Sequence, residues 1–313
     1  MSILAQLKST RPMRLVKRVL SPMWAKLTYK RTDFPPEIWI ENTNYCNAHC
    51  VMCPREQLSR PKGYMDLELF KKLIKEVSFN RGKVRRIHLH NFGEPLLDKN
   101  IFERIRIAKE HGVPYLYFVT NASLLTPDKS EKLVLSGLDS FKISFYGTDR
   151  EAYNKTMVHL NFDKTFKNIK DFLEIRRKAG TRKPAVTIQF LPQSTNEYRT
   201  KEFMDMFRPL IDPKAGDQLC LTTLNNFGGG RSYNNLKGKV VASVCTFPWE
   251  TMVILWDGRV ASCCLDFDGK QLWGDVRSRT IKEVWADFEP IRKDFISLNY
   301  EKYPRCRDCE VIY

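Results

Sequence analysis

The chain predicts an α/β fold: a partial, six-stranded parallel barrel followed by a small C-terminal α+β region. Three observations lead there. Strand-like and helical patterns alternate from Glu37 onward, polar residues collect just after the strand-like runs, and the pattern changes after about Ser232, where cysteines reappear. A length of 313 residues suits one large domain, or a large and a small one.

Before the alternation, residues 1–35 form a basic extension. Positions 1–32 hold eight Lys or Arg and no acidic residue. Met13 to Leu27 places Met, Leu, Val and Trp at helical spacing, with Arg14, Lys17, Arg18 and Lys26 between them. The expectation is a helix packed on the body with its charges solvated. The alternative is a basic amphipathic helix making peripheral membrane contact through residues 1–32. Asp33-Phe34-Pro35-Pro36 marks the break.

Short β-rich runs then recur at Ile38–Glu41, Ile87–His90, Tyr115–Thr120, Phe141–Phe145, Val186–Leu191 and Leu219–Thr222. Helical patterns lie between them at Leu67–Val77, Ile101–His111, Pro127–Leu135, Phe162–Lys178 and Thr200–Leu210. Strands in series with helices between them imply a parallel sheet with right-handed crossovers. Six strands fall short of the eight of a closed (β/α) barrel, so the barrel is expected to be open. Chemistry in such sheets gathers at the C-terminal strand ends, where Asn42, Glu94, Asn121 and Ser144 fall. Residues 36–231 are assigned to this barrel. Gly228-Gly229-Gly230-Arg231 reads as the flexible join to a second region, 232–313, where Asp257-Gly258 between two β-rich runs signals a hairpin and Thr280–Phe288 reads as a helix.

Apolar residues make up 42% of the chain and charged residues 28%, which excludes collagen, coiled coil and disorder. No run reaches the ~18 apolar residues of a membrane span. Basic residues interrupt the N-terminus before any sustained apolar stretch, so a cytoplasmic protein is expected. The net charge of +16 favours anionic partners. Nucleic acid is not expected, for want of aromatic platforms beside a basic groove. His88 and His90 share a strand face; they read as satisfied barrel residues or, alternatively, as a general base.

Nine cysteines fall in groups: Cys46, Cys50 and Cys53; Cys220; Cys245, Cys263 and Cys264; Cys306 and Cys309. An odd number without a secretion signal favours metal ligation over disulfides. Three thiolates on one short loop can hold three irons of a cubane cluster and leave the fourth open. A zinc site, with His49 as the nearest fourth ligand, is the alternative. In the second group, 17 residues separate Cys245 from Cys263, 42 separate Cys263 from Cys306, and two separate Cys306 from Cys309. On spacing alone this set suits zinc and iron–sulfur equally.

The run Cys46-Asn47-Ala48-His49-Cys50-Val51-Met52-Cys53 resembles the Cys-x3-Cys-x2-Cys signature of radical S-adenosylmethionine enzymes. Phe92-Gly93-Glu94-Pro95 resembles that family's Gly-Gly-Glu-like motif, with Phe92 replacing the first glycine. The resemblance spans about Pro36 to Asn226. It implies that Cys46, Cys50 and Cys53 bind a [4Fe–4S] cluster, and that S-adenosylmethionine is bound by Met52, Gly93, Glu94, Asn121 and Ser144. It also implies a 5′-deoxyadenosyl radical that abstracts a substrate hydrogen, and a reducing donor such as flavodoxin or ferredoxin.

Cys245 to Cys309, with Asp257-Gly258 before Cys263, resembles the shortened SPASM or twitch region. By that resemblance Cys245, Cys263, Cys306 and Cys309 hold one auxiliary [4Fe–4S] cluster, fully ligated. A closed cluster suits electron transfer, so the expected reaction is oxidation of an alcohol to a ketone with this cluster as acceptor. Relatives with this layout suggest a small carbohydrate or aminocyclitol substrate. Alternatives are a peptide-modifying maturase, or a redox-neutral epimerase in which Cys264 or Cys220 donates a hydrogen atom. Both cysteines also read simply as small buried residues.

Overall fold

The computed structural model describes residues 11–230 and 243–312. The main sheet has nine strands. Six of them alternate with helices: β1 (Glu37–Ile40), β2 (Arg86–His88), β3 (Leu116–Thr120), β4 (Ser140–Ser144), β5 (Ala185–Phe190) and β6 (Gln218–Leu221). Each pairs in parallel with its neighbour in chain order. This is the half-open barrel expected from the alternation, with strand bounds within one or two residues of the sequence reading.

Burial alternates along these strands. Val186, Ile188 and Phe190 of β5 are buried against helices, while Ala185, Thr187 and Gln189 are only partly buried. The helices answer with apolar stripes. Leu67–Phe79 buries Phe70, Leu73, Ile74 and Val77, the i, i+3, i+4, i+7 set of one face, behind an Asp66 cap that accepts from the amides of Glu68 and Leu69. Pro127–Leu135 and Phe162–Lys178 lie where the periodicity put them. The helices Arg150–Thr156 and Glu289–Ile296 had no distinct sequence signal; their apolar residues are few and fill gaps.

The C-terminal region is joined to the barrel by hydrogen bonding. Beyond β1 the sheet continues with β7 (Thr251–Ile254), parallel to β1, then β8 (Arg259–Ala261) and β9 (Leu272–Asp275), both antiparallel to their neighbours. Asp257-Gly258 does turn the β7–β8 hairpin. The seam is reinforced by a buried ion pair, in which Arg60 donates to both oxygens of Glu41 at 2.6 Å. Asp268 adds to it, accepting from the Ser59 amide and hydroxyl and from the Arg60 amide.

The glycine run is tighter than a flexible join. A Cβ at Gly228 would lie 2.6 Å from the Arg305 carbonyl, and one at Gly230 would lie 2.4 Å from the Phe267 ring. These glycines let the chain pass closely over the C-terminal segment. The boundary expected at 231/232 lies outside the described residues.

The basic extension forms helix α1 (Arg11–Thr28). It packs on the body as expected, but through Ala25 and Ser21; its apolar residues face outward. No helix among the described residues is long and apolar enough to cross a membrane.

Candidate active site and cluster cavities

A cavity of about 350 Å³ opens at the C-terminal ends of the barrel strands, within the size range of small-molecule sites. Cys46, Cys50, Met52 and Cys53 line one side of it, Gly93, Glu94, Asn121 and Ser144 another, and Cys264 reaches it from the C-terminal region. Residues far apart in sequence, singled out on motif grounds, thus share one cavity.

The local geometry explains why these residue types stand here. The loop after β2 must pass close to the cysteine loop: a Cβ on Gly93 would lie 2.1 Å from the Thr43 carbonyl, and the Glu94 amide donates to the Tyr45 carbonyl at 2.8 Å. Glu94 is fixed by three donors, the Leu96 amide (3.0 Å), the Thr120 hydroxyl (2.7 Å) and the Asn121 amide (2.8 Å). Burial raises its pKa against those hydrogen bonds. Asn121 in turn donates to Asn47 at 3.0 Å and reaches the Cys46 sulfur at 4.0 Å, tying the end of β3 to the cysteine loop. On β4 and β5, Gln189 donates to the Tyr146 hydroxyl and that hydroxyl donates to Ser144, each at 3.0 Å.

Phe92, which stands in place of the motif's first glycine, has a packing role. Its ring meets Phe227 and Phe267 edge-on at 6.0 and 5.9 Å, joining the motif loop to the C-terminal region.

Burial, then the charge of Glu94, pushes the Cys46 thiol up to about 11. Cys50 is also raised, by burial and then by repulsion from Cys53 and Cys46. Buried Arg55, held by the Ala48 carbonyl and by Glu56, works against both shifts. Three thiols that repel one another as thiolates, with a guanidinium beside them, suit a site that binds them deprotonated to iron.

A second cavity lies in the C-terminal region, lined by Cys245, Cys263, Cys306 and Cys309 among apolar neighbours such as Phe247, Leu265, Ile291 and Phe295. Burial pushes Cys245 up to about 12; Cys263 and Cys306 are raised by burial first and then by neighbouring cysteines. Among the described residues no three His, Cys, Asp or Glu side chains converge as one ion requires. Four thiols around one apolar cavity are a ligand set that suits an iron–sulfur cluster.

The two cavities share a wall. Cys263 lines the second, Cys264 the first, and Leu265 both. Cys220, on the edge strand β6, is outside the lining of either cavity.

Sequence motifs matched to residues 40–207 are those of the radical SAM superfamily, and residues 245–310 match the SPASM iron–sulfur cluster-binding domain. The chain belongs to the radical SAM superfamily. Its cofactors are S-adenosylmethionine and [4Fe–4S] clusters, one for each matched domain. A curated relative is the tungsten-containing aldehyde ferredoxin oxidoreductase cofactor-modifying protein of Pyrococcus furiosus, 24% identical over 312 residues, covering 88% of this chain and 87% of the relative. Another is the S-adenosyl-L-methionine-dependent 2-deoxy-scyllo-inosamine dehydrogenase of Niallia circulans, 25% identical over 279 residues, covering 87% and 91%. Among solved structures, BtrN in complex with AdoMet and 2-DOIA superposes with a TM-score of 0.60 at 20% identity, covering 90% of this chain and 94% of that one. Streptococcus suis SuiB bound to its precursor peptide SuiA gives 0.67 at 14% identity, covering 97% and 76%. These two likenesses show the fold.

Sequence reasoning singled out only His90 among the residues on the floor of the first cavity. Trp39, His90, Lys142 and Gln189 line it, on the barrel strands and their ends rather than in the motif loops. His90 is buried, its Nδ1 lacks a hydrogen-bond partner, and burial, then the charges of His88 and Lys142, holds its pKa well below the usual imidazole range. His88 shares the unpartnered Nδ1 but differs in that its Nε2 hydrogen-bonds Glu37 at 3.0 Å and its ring stacks on Trp39. Alternation along β2 could have marked His90 as inward-facing, but nothing in the sequence gave the depth of the cavity.

Proposed function

We propose that this radical SAM enzyme oxidises a secondary alcohol of a small polyhydroxylated substrate to a ketone. The shared wall between the cavities carries the reading: a substrate radical in the first cavity is one residue away from the thiols of the second. When bound, the clusters and S-adenosylmethionine supply hydrogen-atom abstraction and one-electron chemistry. Cys46, Cys50 and Cys53 would hold the first cluster, with Met52, Gly93, Glu94, Asn121 and Ser144 around S-adenosylmethionine. Cys245, Cys263, Cys306 and Cys309 would close the second. The substrate carbon loses a hydrogen atom to the 5′-deoxyadenosyl radical and its hydroxyl loses a proton; one further electron would pass to the cluster that Cys245, Cys263, Cys306 and Cys309 would hold. His90, whose buried imidazole lines the first cavity, would be the group to accept that proton. The dehydrogenase named among the curated relatives supports this chemistry.

Lys142 bears on the substrate's charge. It lines the first cavity, is half-buried, and among the described residues has no carboxylate or hydrogen-bond partner. A desolvated ammonium suits a carboxylate or phosphate on the substrate and repels an amine. Sugar acids and sugar phosphates therefore fit the cavity better than aminocyclitols.

Redox-neutral epimerisation is the second reading, favoured by the Cys264 thiol on the cavity wall. The reconstituted enzyme with S-adenosylmethionine and reductant is offered a hexose, its 6-phosphate, its uronic acid and its amino sugar. Ketone should form with the anionic sugars, and Cys264→Ala should retain it. An epimer in place of ketone, lost in Cys264→Ala, would overturn oxidation.

A further inference from the structure

Helix α1 wears its amphipathicity inside out. Val16, Val19, Leu20, Met23, Trp24 and Leu27 are all more than half exposed, with Val19 at 65%, Trp24 at 64% and Leu27 at 76%. At the helical advance of about 100° per residue they occupy one continuous arc of about 140°. The opposite side is fixed to the body. Ala25 is fully buried, the Ser21 hydroxyl accepts from the Val244 amide at 2.7 Å, and Tyr29, just past the helix, packs on Trp249. This anchoring holds the apolar arc away from the protein.

Lys17 and Lys26 project near the two edges of that arc, about 180° apart around the helix. Lysines so placed can lay their methylenes along an apolar layer and lift their ammonium groups to its polar boundary. The segment itself carries charge of one sign: residues 1–32 hold eight Lys or Arg and no Asp or Glu, with Arg31 paired to Glu289 of the body. Trp24 within the arc suits the boundary between hydrocarbon and headgroup.

We propose that α1 is an interfacial anchor that seats this enzyme on an anionic phospholipid surface, its apolar arc in the outer acyl layer and its lysines among the lipid phosphates. The helix lies in the membrane plane and does not cross it. A second copy of the chain is the poorer occupant, because pairing the two arcs would set the flanking lysines of both copies against each other.

The test is flotation of the full-length protein with extruded vesicles of phosphatidylcholine, alone or mixed with phosphatidylglycerol. The protein should float with the mixed vesicles and much less with phosphatidylcholine alone. The variant Leu20→Ser/Met23→Ser/Leu27→Ser, altered only at exposed positions, should lose flotation while keeping its iron content and thermal midpoint. Lys17→Gln/Lys26→Gln should bind the mixed vesicles about thirtyfold more weakly. A blue shift of fluorescence on vesicle addition should be present in the wild type and absent in Trp24→Phe. Failure of the wild type to float, or equal flotation by the triple-serine variant, would overturn the proposal. So would a lipid-free dimer in sedimentation that the triple-serine variant abolishes, which would assign the arc to a second copy.

Discussion

Gly93 shows at the scale of one residue how the motif works. Its neighbour Glu94 carries the polar contacts, yet Glu94 is aimed by the absence of a side chain beside it. With only 2.1 Å between a Cβ at this position and the Thr43 carbonyl, Gly93→Ala must push the β2 loop off the cysteine loop. That displacement moves Glu94 and breaks its amide bond to Tyr45. We expect Gly93→Ala to weaken S-adenosylmethionine binding at least about tenfold in equilibrium dialysis, a loss of about 1.4 kcal/mol. Wild-type affinity in a folded Gly93→Ala protein would show that the close approach is dispensable. The sequence announced this glycine through its motif, as it announced Glu94 and the cysteines. It offered His90 only as one of a pair with His88, and it did not announce Lys142, which sits on a regular strand where composition reads as ordinary barrel. What distinguishes them is a missing partner, and partners become visible only once the strands are laid side by side.

Single elements were legible wherever one periodicity ruled a long segment. Phe162–Lys178 has its apolar residues on one face and an Asn161 cap, so its bounds could be read directly. Helices such as Arg150–Thr156, with little apolar pattern, could not. The pairing of β7 alongside β1 was also hidden, because a register between residues more than two hundred positions apart leaves no local trace. The Glu41–Arg60 pair shows what that pairing requires. Glu41 follows β1, its side chain is fully buried, and it also meets the amides of Phe92 and Trp256. Arg60→Met should therefore strand a buried carboxylate and cost about 3–5 kcal/mol, seen as a lowered thermal midpoint. Glu41→Gln/Arg60→Met should recover much of that loss, since no uncompensated charge remains. If the double variant melts no higher than Arg60→Met, packing of the arginine, not its charge, holds the seam.

For the molecule as a whole, what matters is that two cysteine groups, separate in sequence, end on either side of one wall. Family motifs made each group legible; their adjacency comes from the continuous nine-stranded sheet, which carries Cys263 and Cys264 to the mouth of the barrel. The reaction proposed for this chain depends on both sites holding clusters, so the metal inventory tests it most directly. Prepared anaerobically, the wild type should contain about eight irons with matching sulfide and little zinc. Cys46→Ala/Cys50→Ala/Cys53→Ala should fall to about four, and so should Cys245→Ala/Cys306→Ala, because each cavity loads independently. About four irons in the wild type, falling to none in the first variant while one zinc stays bound, would make the C-terminal site structural. No acceptor would then stand behind the wall for the second electron, oxidation would lose its outlet, and the Cys264 thiol facing the first cavity would become the centre of a redox-neutral reaction.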